Sequence, residues 1–150
     1  ALTLTQLLPL SGAVIVSTPQ DVALADAVKG VNMFQKVNVP ILGIIENMSF
    51  FACPKCGHEA HVFSHFGAKH TAEKLSVPFL GELPLEEATR FCGDQGKPIV
   101  VKEPESPQAK RFLDIADNVL NSLTTRAAVK GPVFTSSLPG AAPKAAGFTV

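Results

Sequence analysis

Three short runs of apolar residues interrupt a mixed sequence. The first, Gly12-Ala13-Val14-Ile15-Val16-Ser17, carries no charge and reads as a strand buried on both faces, the mark of a parallel sheet. Thr18-Pro19-Gln20-Asp21 breaks it. From Val22 to about Val37, Leu24, Val28, Val31 and Phe34 follow helical spacing. Val39 to Ile45 is a second strand-like run, and Phe79 to Leu83 is a third. Between them Glu46 to Phe66 is irregular, and Ala68, Ala72 and Leu75 predict a short helix. Strand, helix, strand, helix, strand is the order of an α/β fold with right-handed crossovers. Val39-Pro40-Ile41-Leu42-Gly43 and Val77-Pro78-Phe79-Leu80-Gly81 share one pattern. Each reads as a proline ending a connection just before an apolar strand.

The clearest helix comes last. Ser106 is a good N-cap, and Pro107 suits the first helical position. Phe112, Ile115, Ala116, Val119, Leu120 and Leu123 then form one apolar stripe. After Leu123 the character changes. Residues 124–150 hold Pro132, Pro139, Pro143, Gly131, Gly140 and Gly147, and no acidic residue. The stretch is expected to be a disordered, solvated tail, with residues 1–123 as the folded part.

Composition narrows the classes. Hydrophobic residues make up 46% of 150, enough for one domain with a buried core. Net charge is zero, so no global field draws the chain to nucleic acid or to an anionic membrane. Arg126, Lys130 and Lys144 give the tail +3, so the rest carries −3. No apolar run approaches the ~18 residues of a membrane span. No secretory signal is visible, and the start at Ala1 rather than Met leads us to expect a natural start further upstream.

Three cysteines cannot all pair within one chain, so a reducing compartment is expected. Cys53-Pro54-Lys55-Cys56-Gly57 is the most informative segment. Two thiolates three positions apart can grip one metal centre if the backbone turns between them. Pro54 fixes φ for that turn, and Gly57 lets the chain leave it left-handed. A single pair supplies only two of the four ligands that tetrahedral zinc or a cubane cluster takes. Several readings stand on spacing alone. His58, His61 or His65 could complete a zinc site, which leads on spacing. Two copies of the pair could share one cluster. A thioredoxin-like redox couple is disfavoured, because that motif opens a helix and Pro54 and Gly57 favour a loop. A pair of unliganded thiols is the plain alternative.

His58, His61, His65 and His70 read by default as solvated side chains. Phe50, Phe51, Phe63 and Phe66 flank the cysteines as packing residues that could also shield a cluster from water. Cys92 reads as a small buried side chain.

Five ordered motifs then bear a resemblance. They are Ser17-Thr18-Pro19-Gln20-Asp21-Val22-Ala23-Leu24, Gly43-Ile44-Ile45-Glu46-Asn47-Met48-Ser49, the Cys53/Cys56 pair, Phe79-Leu80-Gly81-Glu82-Leu83-Pro84-Leu85 and Asp94-Gln95-Gly96-Lys97-Pro98-Ile99-Val100. Over residues 2–123 the chain resembles the Mrp family of iron–sulfur carrier ATPases, related to MinD and ParA. Within it the segment from Cys53 to Phe63 is most similar to the mitochondrial branch that helps assemble respiratory complex I, with bacterial Mrp proteins a near alternative. The resemblance implies part of a MinD-like P-loop fold with a mostly parallel sheet and flanking helices. It implies a homodimer whose two cysteine pairs, Cys53 and Cys56 of each copy, bridge one [4Fe–4S] cluster that is passed to apo iron–sulfur proteins. It implies ATP with magnesium as a further ligand, Asn47 and Pro84-Leu85 lying against the adenine. The mitochondrial matrix is the implied compartment, the cytoplasm the alternative.

The chain departs from the pattern twice. No G-x-x-x-x-G-K-[ST] phosphate loop occurs. In the family that loop, its strand and the magnesium-holding Asp lie upstream, so these residues alone are expected neither to hold a triphosphate well nor to hydrolyse it, and none is assigned as catalytic. An inert truncated relative, with an unpaired sheet edge, is the matching alternative. The family's Gly-rich turn after Phe63 is here Ser64-His65-Phe66, with only Gly67 left.

Overall fold

In a computed structural model, which describes residue 3 and residues 7–129, the apolar runs form one parallel sheet. Strand β1 is Ala13–Ser17, helix α1 Asp21–Lys36 and strand β2 Ile41–Asn47. A short ribbon follows, β3 (Phe51–Ala52) and β4 (Glu59–Ala60). Then come helix α2 (Gly67–Leu75), strand β5 (Phe79–Leu83) and helices α3 (Glu87–Asp94), α4 (Ile99–Lys102) and α5 (Pro107–Val129). The sheet order is β1-β2-β5, with β2 in the centre and both pairings parallel. β2 is buried over its first six residues, as a strand covered on both faces must be.

Each face of the sheet has its own helices. Leu24 and Val31 of α1 and Ala68 and Ala72 of α2 pack on Ile41 and Ile44. Ile115 of α5, with Phe112 and Val119 beside it, packs on Ile45, Leu80 and Leu83. Ile44 is fully buried. Truncating it to alanine is expected to cost about 2–5 kcal/mol, lost transfer energy plus a cavity.

The repeated Val-Pro-apolar-apolar-Gly pattern has a structural counterpart. Pro40 O accepts a hydrogen bond from Ala13 N–H at 2.8 Å, and Pro78 O one from Ile44 N–H at 2.9 Å. Both pairings shift register just after the proline, as at a β-bulge. The glycine that closes each pattern is required there. A Cβ on Gly43 would sit 2.5 Å from Leu80 Cγ, and one on Gly81 2.7 Å from Ile115 Cγ1.

Ser106 caps α5 as expected, its Oγ accepting the Ala109 N–H at 3.1 Å. The helix does not stop at Leu123 but runs on to Val129. Arg126 explains the extension: its guanidinium donates to Ile41 O at 2.9 Å, tying the last turns to the start of β2. The helix thus takes in the first residues of the stretch expected to be a tail, and residues 130–150 lie outside the described residues.

Candidate functional site

The irregular segment between β2 and α2 is organised around the cysteine pair. β3 and β4 pair antiparallel, Phe51 opposite Ala60 and Ala52 opposite Glu59. At their tip the Cys53 N–H donates to His58 O at 2.9 Å, and the Gly57 N–H donates back to Cys53 O at 2.8 Å. These two bonds close the turn that carries both thiols. Gly57 has φ +71°, a left-handed conformation that glycine takes without a steric penalty. Cys56 is exposed and Cys53 half-buried, and both are free. The backbone N–H groups of Lys55 and Cys56 point at Cys53 Sγ, and together with the Cys56 side chain they hold the Cys53 thiol below its ordinary pKa. The turn therefore favours the thiolate, the form that binds metal.

Further ligands do not converge on it. Among the described residues no group of three or more His, Cys, Asp or Glu is placed to hold a metal ion. His58, His61 and His65 are exposed. His61 and His65 instead approach each other, Nδ1 to Nδ1 at 2.8 Å, and the His65 ring packs at a tilt against Phe66 with ring centroids 3.6 Å apart. The zinc set drawn from these histidines is not assembled. Cys92 is buried in α3, as expected of a small apolar side chain. The pair thus stands as two free thiols on one turn, Cys56 exposed and Cys53 half-buried. Of the flanking phenylalanines, Phe50 is buried and Phe51 is exposed.

The expected adenine contacts come together at the carboxyl ends of β2 and β5. Asn47 ends β2, opposite Leu83 in register, and Pro84-Leu85 follows directly. Asn47 Oδ1 accepts the Met48 N–H at 3.0 Å. Ser49 N–H donates to Leu83 O at 3.0 Å, and Leu85 N–H donates to Phe50 O at 2.7 Å. Those two bonds staple the Asn47 loop and the root of the cysteine ribbon to one connection. Open α/β sheets bind ligands at this end of the strands.

Sequence reasoning missed the group that anchors this staple. Glu46 is fully buried near the end of β2. Its carboxylate accepts the Ser49 hydroxyl at 2.6 Å and the Ala68 N–H, in the first turn of α2, at 2.7 Å. That helix has no side-chain cap of its own, and the buried carboxylate serves instead. Ser49 Oγ also lies 2.9 Å from Glu82 Oε2. A hydroxyl has one hydrogen, and the shorter contact assigns it to Glu46. Arg111, 4.0 Å from Glu82, balances the second carboxylate. The signal was available: Glu46 is a charge at the end of an unbroken apolar run.

A phosphate-loop-free piece of α/β sheet with an outward thiol pair invites comparison with known families. The family described as ParA, NUBPL iron-transfer P-loop NTPase, matches residues 1–120. The chain belongs to this family. Relatives within it carry the same theme in their names. An iron-sulfur cluster transfer protein NUBPL of Dictyostelium discoideum is 57% identical over 122 residues, 81% of this chain and 38% of that protein. An iron-sulfur protein required for NADH dehydrogenase, mitochondrial, of Arabidopsis thaliana is 52% identical over the same share of this chain and 39% of its own. An iron-sulfur cluster carrier protein of Haemophilus influenzae is 49% identical, with 33% of its length covered. The chain therefore spans between a third and two-fifths of these relatives. A solved nucleotide-binding protein of Archaeoglobus fulgidus in complex with ADP superposes with a TM-score of 0.55 at 35% identity, over 68% of this chain and 41% of that one. A MinD cell-division ATPase of Pyrococcus furiosus, 24% identical over 74% of this chain and 43% of its own, shares the fold with a TM-score of 0.56. The MinD-like fold and the Mrp-type family expected from the five motifs are both borne out.

Proposed function

We propose that this chain is the cluster-holding part of an iron–sulfur carrier. Its cargo is a labile [4Fe–4S] cluster, held by Cys53 and Cys56 of two copies and delivered to apo iron–sulfur proteins. One observation carries the reading: two thiols share one outward turn whose amides favour the thiolate, and no further ligand stands near them among the described residues. Ligand counting then asks for a second copy, since a cubane cluster takes four thiolates. The names of the relatives support iron–sulfur cargo over zinc.

Delivery follows from thiolate exchange. An acceptor thiol loses its proton as its sulfur binds iron, and the cysteine it displaces takes a proton up. No electron moves. Splitting the four ligands over two copies makes this exchange easy, because a small motion at the interface opens the site.

The same reading places adenine against Asn47 and Pro84-Leu85, with the phosphate loop and magnesium site supplied by sequence outside these residues. Asn47 can donate to and accept from an adenine edge once its side chain leaves the Met48 N–H. The name of the Arabidopsis relative supports service to respiratory NADH dehydrogenase and a place in mitochondria.

Anaerobic reconstitution with iron and sulfide tests the proposal. The wild-type chain and Cys92→Ser should turn brown and retain iron through gel filtration. Cys53→Ser and Cys56→Ser should not. Stoichiometric zinc that iron does not displace would overturn it.

A further inference from the structure

A groove of about 650 Å³ opens beside Cys53. Phe51, Ala52 and Pro54 wall it from the cysteine ribbon, and Leu85 before α3 and Ala88 and Phe91 within it wall the other side. Phe51, Leu85 and Phe91 are 38%, 39% and 46% exposed. Three large apolar side chains left this open in one groove mark a contact surface. Its lining also includes Glu86 and Glu87. Glu86 accepts only the Thr89 hydroxyl, at 3.2 Å, and has no Lys or Arg within 4 Å among the described residues. Glu87 meets Arg90 loosely at 3.8 Å, while Arg90 bonds Asp94 at 2.6 Å. Lys102 lies against the Phe91 ring, 4.9 Å from its centroid. The floor is thus apolar, and the two charged residues that line it are acidic, with the Lys102 ammonium at its edge beside Phe91.

We propose that this groove docks the recipient of the cluster, through a segment that presents a large apolar side chain next to a Lys or Arg, close in sequence to a ligand cysteine. The inference rests on the carrier reading and names its partner. Thiolate exchange requires the recipient's sulfur to reach iron held at Cys53, and the groove ends on that residue. The apolar anchor fills the space between Phe51, Leu85 and Phe91, and the basic neighbour meets Glu86. A second copy is the competing occupant, because the two-fold axis of the carrier reading runs through the cluster beside this groove, and the dimer mass of the variants decides between the two. Leu85 also belongs to the proposed adenine contact, so nucleotide and recipient would occupy adjoining sites.

The test uses two synthetic acceptors that carry a C-x₂-C-x₂-C run and a fourth cysteine further along the peptide, four thiolates for one cubane cluster, one flanked by Leu-Arg and the other by Leu-Glu. From the reconstituted chain, transfer to the Leu-Arg peptide should be about tenfold faster at low salt, and the gap should close as salt screens the contact. Glu86→Gln with Glu87→Gln should erase the preference. Phe91→Ala should slow transfer to both peptides. None of these variants should change iron content, dimer mass or extraction by EDTA. Equal rates with both peptides would overturn the proposal, and so would loss of dimer in the variants, which would make the groove an interface between copies. Failure to load a cluster would sink the carrier reading alone. The groove is then read without metal, by fluorescence anisotropy of the same peptides with every Cys replaced by Ser. Tighter binding of the Leu-Arg form supports it, and equal binding refutes it.

Discussion

Cys53 is where the backbone does the chemistry. The amides of Lys55 and Cys56 aimed at its sulfur lower its pKa in the folded chain. A depressed acid contributes stability above its unfolded value and loses it as pH falls through the folded one. Iodoacetamide should therefore modify Cys53 with a midpoint at lower pH in the folded chain than in urea, read by mass spectrometry. Coincident midpoints would mean that the amides do not hold the thiolate. Ser49 works at the same scale through the buried Glu46 carboxylate. Ser49→Ala leaves that carboxylate with the Ala68 N–H alone, and urea unfolding should report a loss of about 1–3 kcal/mol. The cysteine pair was legible in the sequence because its geometry is local, two thiols and a glycine within one turn. The Glu46–Ser49–Glu82 cluster was not, because Glu82 lies 33 positions from Ser49 and only the parallel pairing of β2 and β5 joins them.

The ribbon and the loop after it are the elements that set the site. Ser64 has φ +107° and Phe66 φ +57°, both in the region that glycine tolerates. Neither residue is a glycine, yet the backbone at both takes a conformation that glycine adopts freely. Holding Ser64 there costs on the order of 1–3 kcal/mol. Ser64→Gly, after its own entropy cost, should stabilise the chain by about 1 kcal/mol and raise Tm by a few degrees. A lower Tm would show that the Ser64 side chain makes up the difference. Strands and helices with strong periodicity were readable from sequence: Phe79–Leu83 has the expected bounds, and α1 is shifted by about one residue. The two-residue strands β3 and β4 carry no period at all, and their pairing rests on the turn bonds of Cys53 and Gly57. The end of α5 was missed for a different reason. Composition weakens after Leu123, yet the Arg126 bond to Ile41 spans 85 positions and no local pattern encodes it.

For the whole molecule, β1 and β5 are the two outer strands of the sheet among the described residues. Among the described residues β1 pairs with β2 alone, and Val16 on it is 58% exposed. An open apolar edge is a template for self-association. Val16→Lys should reduce concentration-dependent aggregation of the 150-residue chain, followed by light scattering at rising protein concentration. Unchanged aggregation would place the sticky surface elsewhere, with the groove at Phe51 and Phe91 the next candidate. One chain supplies one close thiolate pair, whereas a four-iron cluster takes two. The direct measurement is light scattering with iron analysis on anaerobic protein at increasing degrees of reconstitution. Dimer mass and iron should rise together, to about two irons per chain, because a cluster bound across two copies stabilises their association by mass action. A four-iron cluster on a monomeric species would contradict the account.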